Sequence, residues 1–526
     1  MRLIAPATLH HLLQSGSELA LLDVREHGEY NLAHIPRASS VPRRLLEHVV
    51  RRLVPSTNVQ IVVCDDDGRR ARLAAATLER GGYVRTAVLD GGVNLWASQG
   101  LPTEWGMNVP SKDFGEAVEV QHHVPTVDAA TLHRWQREGQ DLLILDTRTP
   151  EEYQRFCIPG GRSVPGGELA YRVADLMRER PGARVVVNCA GRTRSIIGAR
   201  VLQRMGIPDV VSLKNGTSGW VLAGYQLEAG ADRVALPEAS AESRAAAEAF
   251  ARRAAEEDGV QTIDVEALDK LMEQSRSRPV YLLDVRREEE FRAGHIPGFW
   301  WFPGGQAVQR ADDAVAIRQA PVVMCCDGSA RAQITGSWYR QLGFQHVYAV
   351  RGGTTAWASV GRSLETGAAE VEPLDLAEAR VRVRTVSAES LNAVLASTLP
   401  PTVIYVGTSS EFAAGHVPSA RWISRGWLEL QIDQIAPDRR HPVVLADAHG
   451  PDALLAAFAL QGMGYVDASA MIGGQAAWRA AGLPSERGLA GVMAPPDDLV
   501  PAGPERSTAD MINYLRWEEA LGTKYA

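Results

Sequence analysis

The sequence predicts an α/β protein of four tandem domains, each a central parallel sheet with helices on both faces. Three observations predict it. An opening phrase appears four times: LLDVREHGEYNLAHIPRA from Leu21, LILDTRTPEEYQRFCIPGGR from Leu143, LLDVRREEEFRAGHIPG from Leu282 and VIYVGTSSEFAAGHVPSA from Val403. A closing phrase follows each copy: LDGGVNLWASQGLP, LKNGTSGWVLAGYQLE, VRGGTTAWASVGRSLE and MIGGQAAWRAAGLPSE. Between them, short β-branched runs alternate with helical patterns, the signature of parallel strands joined by crossover helices. The copies recur about every 125 residues, a domain-sized spacing rather than that of a solenoid.

The elements read most plainly in the second copy. LLILDTR is a buried strand. TPEEYQRF starts a helix, with Thr149 as N-cap, Pro150 at the first position and acids in the first turn. RVVVNC is a second strand, TRSIIGARVLQRMG a helix ending at Gly206, and VVSLKNG a third strand. The same order, read along the chain, gives domain one over 1–108, domain two over 120–230, domain three over 259–368 and domain four over 380–487. ASAESRAAAEAFARRAAEEDG, within 231–258, reads as a solvent-facing linker helix and a spacer. The segment 488–526 is rich in Pro and Gly and then turns helical. Met511, Tyr514, Leu515 and Trp517 lie near helical spacing, so this end docks on another domain and takes no part in chemistry.

At 526 residues the chain exceeds one ordinary core. Its net charge of -8 argues against nucleic-acid or anionic-membrane partners. No run reaches the roughly 20 apolar residues that span a bilayer, and the N-terminus lacks the order of a signal peptide. Cys64, Cys157, Cys189, Cys325 and Cys326 are the five cysteines. An odd, sparse set is no disulfide framework and suits a reducing cytoplasm. No CxxC pair or Cys/His cluster suggests zinc, and neither a metal nor a cofactor is expected.

Each copy has an apolar strand that runs into a short loop and a helix: IVVCDDDGRRA, VVVNCAGRTRS, VVMCCDGSARA and VVLADAHGPDA. Aligned, they place Asp65, Cys189, Cys326 and Asp447 in one column and Arg70, Arg194, Arg331 and Asp452 in another. Cys64 and Cys325 fall with Asn188 on the last strand residue. A cysteine at the carboxyl edge of a parallel sheet stands at the usual place for ligands. The loop CAGRTR, its turn eased by Gly191, can aim backbone N–H groups at one spot, and the following helix adds its positive end. With Arg192 and Arg194 this favours a thiolate, holds an anion and stabilises an adduct.

These motifs together resemble the rhodanese family, over four consecutive domains and most of the chain. The resemblance implies thiosulfate sulfurtransferase chemistry. Cysteine takes the outer sulfur of thiosulfate or another sulfane donor, sulfite leaves, and the persulfide passes to cyanide or a thiol, including that of a thioredoxin-like protein. Carried over, Cys189 holds the persulfide. The backbone of Ala190, Gly191, Arg192, Thr193, Arg194 and Ser195 cradles it. Arg194 binds the donor anion, and the Arg192 side chain assists.

The sister copies differ. In copy three Cys326 is a candidate second nucleophile with Arg331 beside it, but Asp327 opposes thiolate formation. Adjacent Cys325 is either buried strand or a partner for a vicinal disulfide or persulfide. Trp300, Trp301 and Phe302 either pack in the core or narrow the pocket. Copy one has Asp65, Asp66 and Asp67 in the loop and is expected to be inactive. Copy four lacks the cysteine, the loop arginine and the aspartate of DVR, and reads as structural or as an interaction module. Cys157 stands where the other copies have His34, His295 and His416, as a small buried replacement or a second sulfur-handling thiol. Two rivals remain. One is a cysteine phosphatase or arsenate reductase of related fold, whose Cys-to-Arg loop is one residue longer; Cys64–Arg70 and Cys325–Arg331 match that length only out of register. The other is a non-catalytic scaffold.

Overall fold

A computed structural model describes residues 1–526. It contains four five-stranded sheets, one per copy, in which every strand pairing is parallel. In copy two the strands lie side by side as Thr126–Val127, Val210–Leu213, Arg184–Asn188, Leu142–Asp146 and Arg162–Ser163. The other copies repeat this order. Leu142–Asp146 is buried at every position, as a strand covered on both faces must be.

Helix starts and stops follow the local chemistry. Thr149 caps Pro150–Arg155: its hydroxyl accepts from Glu152 N–H at 3.3 Å, while the Glu152 carboxylate accepts from Thr149 N–H at 3.0 Å. Thr193–Met205 ends on Gly206, whose φ of 84° closes the helix. Asp23, Asp146 and Asp284 of the opening phrase are buried and grip Arg25, Arg148 and Arg286 two residues on. Each arginine also donates to a carbonyl after the next helix, Ala33, Phe156 or Gly294.

The chain forms two compact units: 1–107 with 370–500, and 108–369 with 501–526. In the first, copies one and four meet through a buried ion network. Arg43 donates to Glu47 at 2.8 Å and to Glu429 at 3.0 Å, and Arg425 donates to the same two carboxylates at 2.8 and 3.0 Å. In the second, copies two and three meet through Arg331, which donates to Glu168 at 2.8 Å, and Tyr171, which donates to Asp327 at 3.0 Å.

Two segments correct the sequence expectations. The linker helix, Ala241–Asp258, is not merely solvent-facing. Its Ala247, Phe250, Ala251, Ala254 and Ala255 are buried against Leu169–Glu179 and Ala330–Gln341, because an alanine stripe permits close approach while its charged residues face out. A further helix, Val109–His122, fills the stretch between copies one and two and packs on the start of Thr193–Met205. The end of the chain does dock as a helix, Thr508–Leu521, burying Met511 and Leu515 against Val109–His122.

Candidate functional site

The backbone fixes the register of the four loops. Cys64, Asn188, Cys325 and Ala446 are each the last strand residue, facing Asp23, Asp146, Asp284 and Tyr405 on the neighbouring strand. One residue later the carbonyls of Asp65, Cys189, Cys326 and Asp447 accept from Val93, Thr217, Thr354 and Gln475 at 2.7 to 2.9 Å. Those donors begin the helices of the closing phrase, which explains its second glycine. Gly92, Gly216, Gly353 and Gly474 all have positive φ, and a Cβ there would stand 2.4, 2.1, 1.9 and 2.5 Å from the same four carbonyl oxygens. The closing helix therefore clamps the head of the loop.

Copies one and four reveal what the loop's N–H groups point at. The Asp65 carboxylate accepts from Gly68, Arg70 and Ala71 N–H at 2.5, 2.7 and 3.3 Å. Asp447 accepts from His449 at 3.1 Å, from Gly450, from Asp452 at 2.7 Å and from Ala453 at 3.2 Å. A side chain in this column thus sits in a nest of backbone donors at a helix start. In copy three the N–H groups of Gly328 and Ala332 act on the Cys326 sulfur in the same way. In copy two the nest positions are Gly191, Arg192, Arg194 and Ser195.

Cys189 is only 2% exposed. Its thiol donates to the Ser195 hydroxyl at 3.5 Å, and that hydroxyl donates to the Arg192 carbonyl at 2.8 Å. Arg194 does not hang free into the loop. It makes a two-pronged pair with Glu152, Nη1 to Oε2 at 2.7 Å and Nη2 to Oε1 at 2.9 Å. Burial lifts the Glu152 carboxyl, but Arg194 more than reverses this and holds it at about 2. Burial opposes the Arg194 charge, yet Glu152 and then Cys189 favour it. The fork recurs as Arg70–Glu29 and Arg331–Glu290. Its acid is the capping-box glutamate, legible in the sequence but not read there as a partner of the loop arginine.

Arg192 is turned out of the loop. It donates to Glu116 at 2.6 and 2.8 Å, to Glu119, to Glu519 at 3.3 Å and to the Asn215 side chain at 3.3 Å. The expected assistance from the Arg192 side chain therefore meets a guanidinium already surrounded by acids. Glu116, Glu119 and Glu519 lie far off in sequence, and no local signal marks them. Gly191 does not ease a turn through positive φ; its missing side chain leaves room for Glu518, whose Oε2 would lie 3.3 Å from a Cβ there.

Cys326 is fully buried. Burial pushes its thiol up, Arg331 pulls it down and Asp327 pushes it up again, to about 11. Arg331 is shared among Glu290, Glu168 and Asp327, at 2.7 to 2.8 Å. Cys325 points its thiol at the Cys326 carbonyl at 3.3 Å, and all five cysteines are free thiols. Burial drives the Cys64 and Cys325 thiols far above their ordinary value. Cys157 is fully buried, and burial raises its thiol while Tyr153 lowers it. Its backbone bridges to Glu228, as those of His34, His295 and His416 bridge to Glu104, Glu365 and Glu486. Trp300, Trp301 and Phe302 are half-buried at the sheet edge, and the Trp301 ring N–H donates to the Arg286 carbonyl at 2.9 Å.

Comparison with known proteins agrees with this repeat. The rhodanese-like domain matches four times, over residues 5–99, 128–223, 264–360 and 387–481. A crystal structure of thiosulfate sulfurtransferase from Pseudomonas aeruginosa is 37% identical, covers 99% of this chain and 97% of its own, and superposes with a TM-score of 0.90. The Mycobacterium tuberculosis protein named "Putative thiosulfate sulfurtransferase SseB" is 27% identical over 204 residues, 32% of this chain and 71% of that protein. A sulfurtransferase of Allochromatium vinosum is 26% identical over 106 residues, 20% of this chain and 96% of its own length. No helix is long and apolar enough to cross a membrane. With four matched domains spanning most of its length, the chain belongs to the rhodanese-like domain family.

Proposed function

We propose that the chain is a thiosulfate sulfurtransferase working through a persulfide on Cys189. The Cys189 thiolate attacks the outer sulfur of thiosulfate; a new S–S bond forms, the S–S bond of thiosulfate breaks, and sulfite leaves with the electron pair. Cyanide or an acceptor thiolate then attacks the terminal sulfur, giving thiocyanate or an acceptor persulfide and returning the thiolate. Small thiols, protein thiols and thioredoxin-like partners are the acceptors, in a reducing cytoplasm.

The observation that carries this reading is the shared column. Cys189 stands where two sister loops hold a carboxylate among backbone N–H groups, so negative sulfur there receives the same donors. The whole-length likeness to the Pseudomonas aeruginosa thiosulfate sulfurtransferase supports it. The Arg194–Glu152 pair sets the loop's edge, and Arg194 contributes its field rather than a free hand. Copy three is a silent copy, its thiol buried and paired acids around its arginine. Copies one and four hold the fold without the chemistry, their nests filled by Asp65 and Asp447.

The test is sulfite release from thiosulfate with cyanide as acceptor. Cys189→Ala abolishes it, while Cys64→Ala and Cys326→Ala leave it near the parent rate. Peptide mass spectrometry after thiosulfate treatment finds the added sulfur on the Cys189 peptide. Turnover that survives Cys189→Ala and vanishes in Cys326→Ala moves the site to copy three; phosphatase activity without sulfur transfer overturns the reading.

A further inference from the structure

The end of the chain roofs the Cys189 loop. The turn Gly503–Glu505 lies against Ala190: a Cβ at Gly503 would stand 3.3 Å from the Ala190 Cβ. Helix Thr508–Leu521 then brings Glu518 and Tyr514 over Gly191, with Glu518 Oε2 at 3.3 Å and the Tyr514 ring at 3.8 Å from where a side chain would begin. Glu518 is 1% exposed. Its Oε1 accepts from the Thr193 hydroxyl at 3.0 Å. The same buried carboxylate also interacts with the Tyr514 phenol through its side chain. Burial and then Glu518 drive the Tyr514 phenol far above its ordinary value, and Cys189 acts on the same phenol. The roof therefore lies within the electrostatic reach of the reactive sulfur.

Lys112 interacts electrostatically with Glu518, while the other nearby cations are engaged elsewhere. Arg192 and Lys214 are taken by Glu116, Glu119 and Glu519. Lys112 sits 4.9 and 5.3 Å over the Tyr514 and Trp517 rings, and burial lowers it to about 8 against the pull of Glu518. Arg506 stacks on the Tyr514 ring at 4.5 Å. Burial lifts Glu116 to about 7, Arg192 resisting. The loop at Gly191 thus faces a buried carboxylate.

We infer that the C-terminal helix closes the Cys189 loop and that Glu518 is a specificity-determining residue there, admitting singly charged or neutral sulfane donors in preference to a doubly charged one. The inference rests on Cys189 as the sulfur carrier. Specificity is a difference between donors, and a repelling charge supplies it. The extra negative charge of thiosulfate is disfavoured by about threefold to tenfold at low salt, less as screening grows.

The experiment uses the full chain and Glu518→Gln, which keeps the hydrogen bond from Thr193. Donors are thiosulfate, with two charges, and benzenethiosulfonate, with one; cyanide is the acceptor. In Glu518→Gln, kcat/KM for thiosulfate rises about threefold to tenfold more than for benzenethiosulfonate, and high salt narrows the difference. Equal changes for both donors, or none, overturn the inference. A second measurement needs no turnover: alkylation of Cys189 by neutral iodoacetamide and anionic iodoacetate, read by peptide mass spectrometry. The amide-to-acid rate ratio falls in Glu518→Gln, and an unchanged ratio counts against the gate. Persistent turnover in Cys189→Ala defeats the carrier assignment instead, a result separate from either readout.

Discussion

Gly216→Ala tests whether the closing phrase exists to clamp the sulfur. Gly216 has φ of 51°, and an added Cβ would lie 2.1 Å from the Cys189 carbonyl oxygen, 2.8 Å from its carbon and 3.0 Å from the Ala190 carbon. Ordinary contact begins at 3.4 Å, so backbone on one side must retreat by more than 1 Å. Left-handed φ costs an alanine about 1–2 kcal/mol. Losing the Thr217 N–H bond to Cys189, now 2.9 Å, costs about 1 kcal/mol more. Stability of the unit holding copies two and three should fall by about 2–3 kcal/mol, read by denaturant unfolding. A shift of about 1 Å at the reacting atom costs on the order of 100-fold in kcat, read as sulfite release. Gly92→Ala is the internal control. Its Cβ would stand 2.4 Å from the Asp65 carbonyl oxygen, so it should destabilise its own unit similarly and leave turnover within about twofold. A Gly216→Ala enzyme that keeps more than half its kcat, or a Gly92→Ala enzyme that loses as much, refutes the clamp.

Two further outcomes follow from buried groups. Burial pushes the Cys326 thiol up to about 11 against the pull of Arg331, so its alkylation in the native chain should rise about tenfold per pH unit between pH 7 and 10; a plateau below pH 9 means the thiol is more acidic and the copy less silent. Glu47 is held at about 2: burial lifts it, and Arg425 and Arg43 more than reverse this. A depressed carboxyl stabilises fully above its unfolded value of 4.5 and loses that as pH falls toward 2, here about 3 kcal/mol. Glu47→Gln should therefore lower the denaturation midpoint of the first unit at pH 7 and flatten its dependence between pH 5 and 2; parallel curves for parent and variant contradict the network.

The repeat made much of this legible from sequence. The Thr149 cap, the Gly206 stop and the loop columns are local patterns and appear at the stated residues, while the strands stop one to three residues short of the expected ends, at Asp146, Asn188 and Leu213. Four copies also separated Cys64 and Cys325 from the loop heads, which one copy could not do. What escaped was the pairing of distant surfaces. Glu518 reaches Thr193 across 325 residues, and Arg43 reaches Glu429 across 386; polar contacts of that kind leave no periodicity. The linker helix was misjudged for a related reason. Its buried stripe is mostly alanine, whose small apolar surface barely registers beside the charges, although it suits close helix packing. A loop arginine beside a cysteine invites an anion-binding role, and nothing local announces that the Arg192 side chain meets acids on two other helices.

The carboxylates of copies one and four also explain why loops without chemistry keep their form. Backbone N–H groups gathered at a helix start favour an anion, and an empty nest would leave buried donors unmet. An aspartate meets them from within. In the arginine column the two copies carry opposite charges: Arg70 stands in copy one where Asp452 stands in copy four. Burial lifts both aspartates; Arg70 opposes this at Asp65, whereas Asp452 adds to it and Asp447 reaches about 6. The arginine side chain therefore stabilises negative charge in the nest without touching it, since the Arg70 guanidinium is tied to Glu29 and Asp66. On the function proposed for Cys189, Arg194, tied to Glu152, would act as a fixed field and the backbone N–H groups would do the holding. A donor anion bound there would be gripped by the main chain and steadied by a salt bridge, so its affinity depends on loop geometry more than on any one cationic side chain.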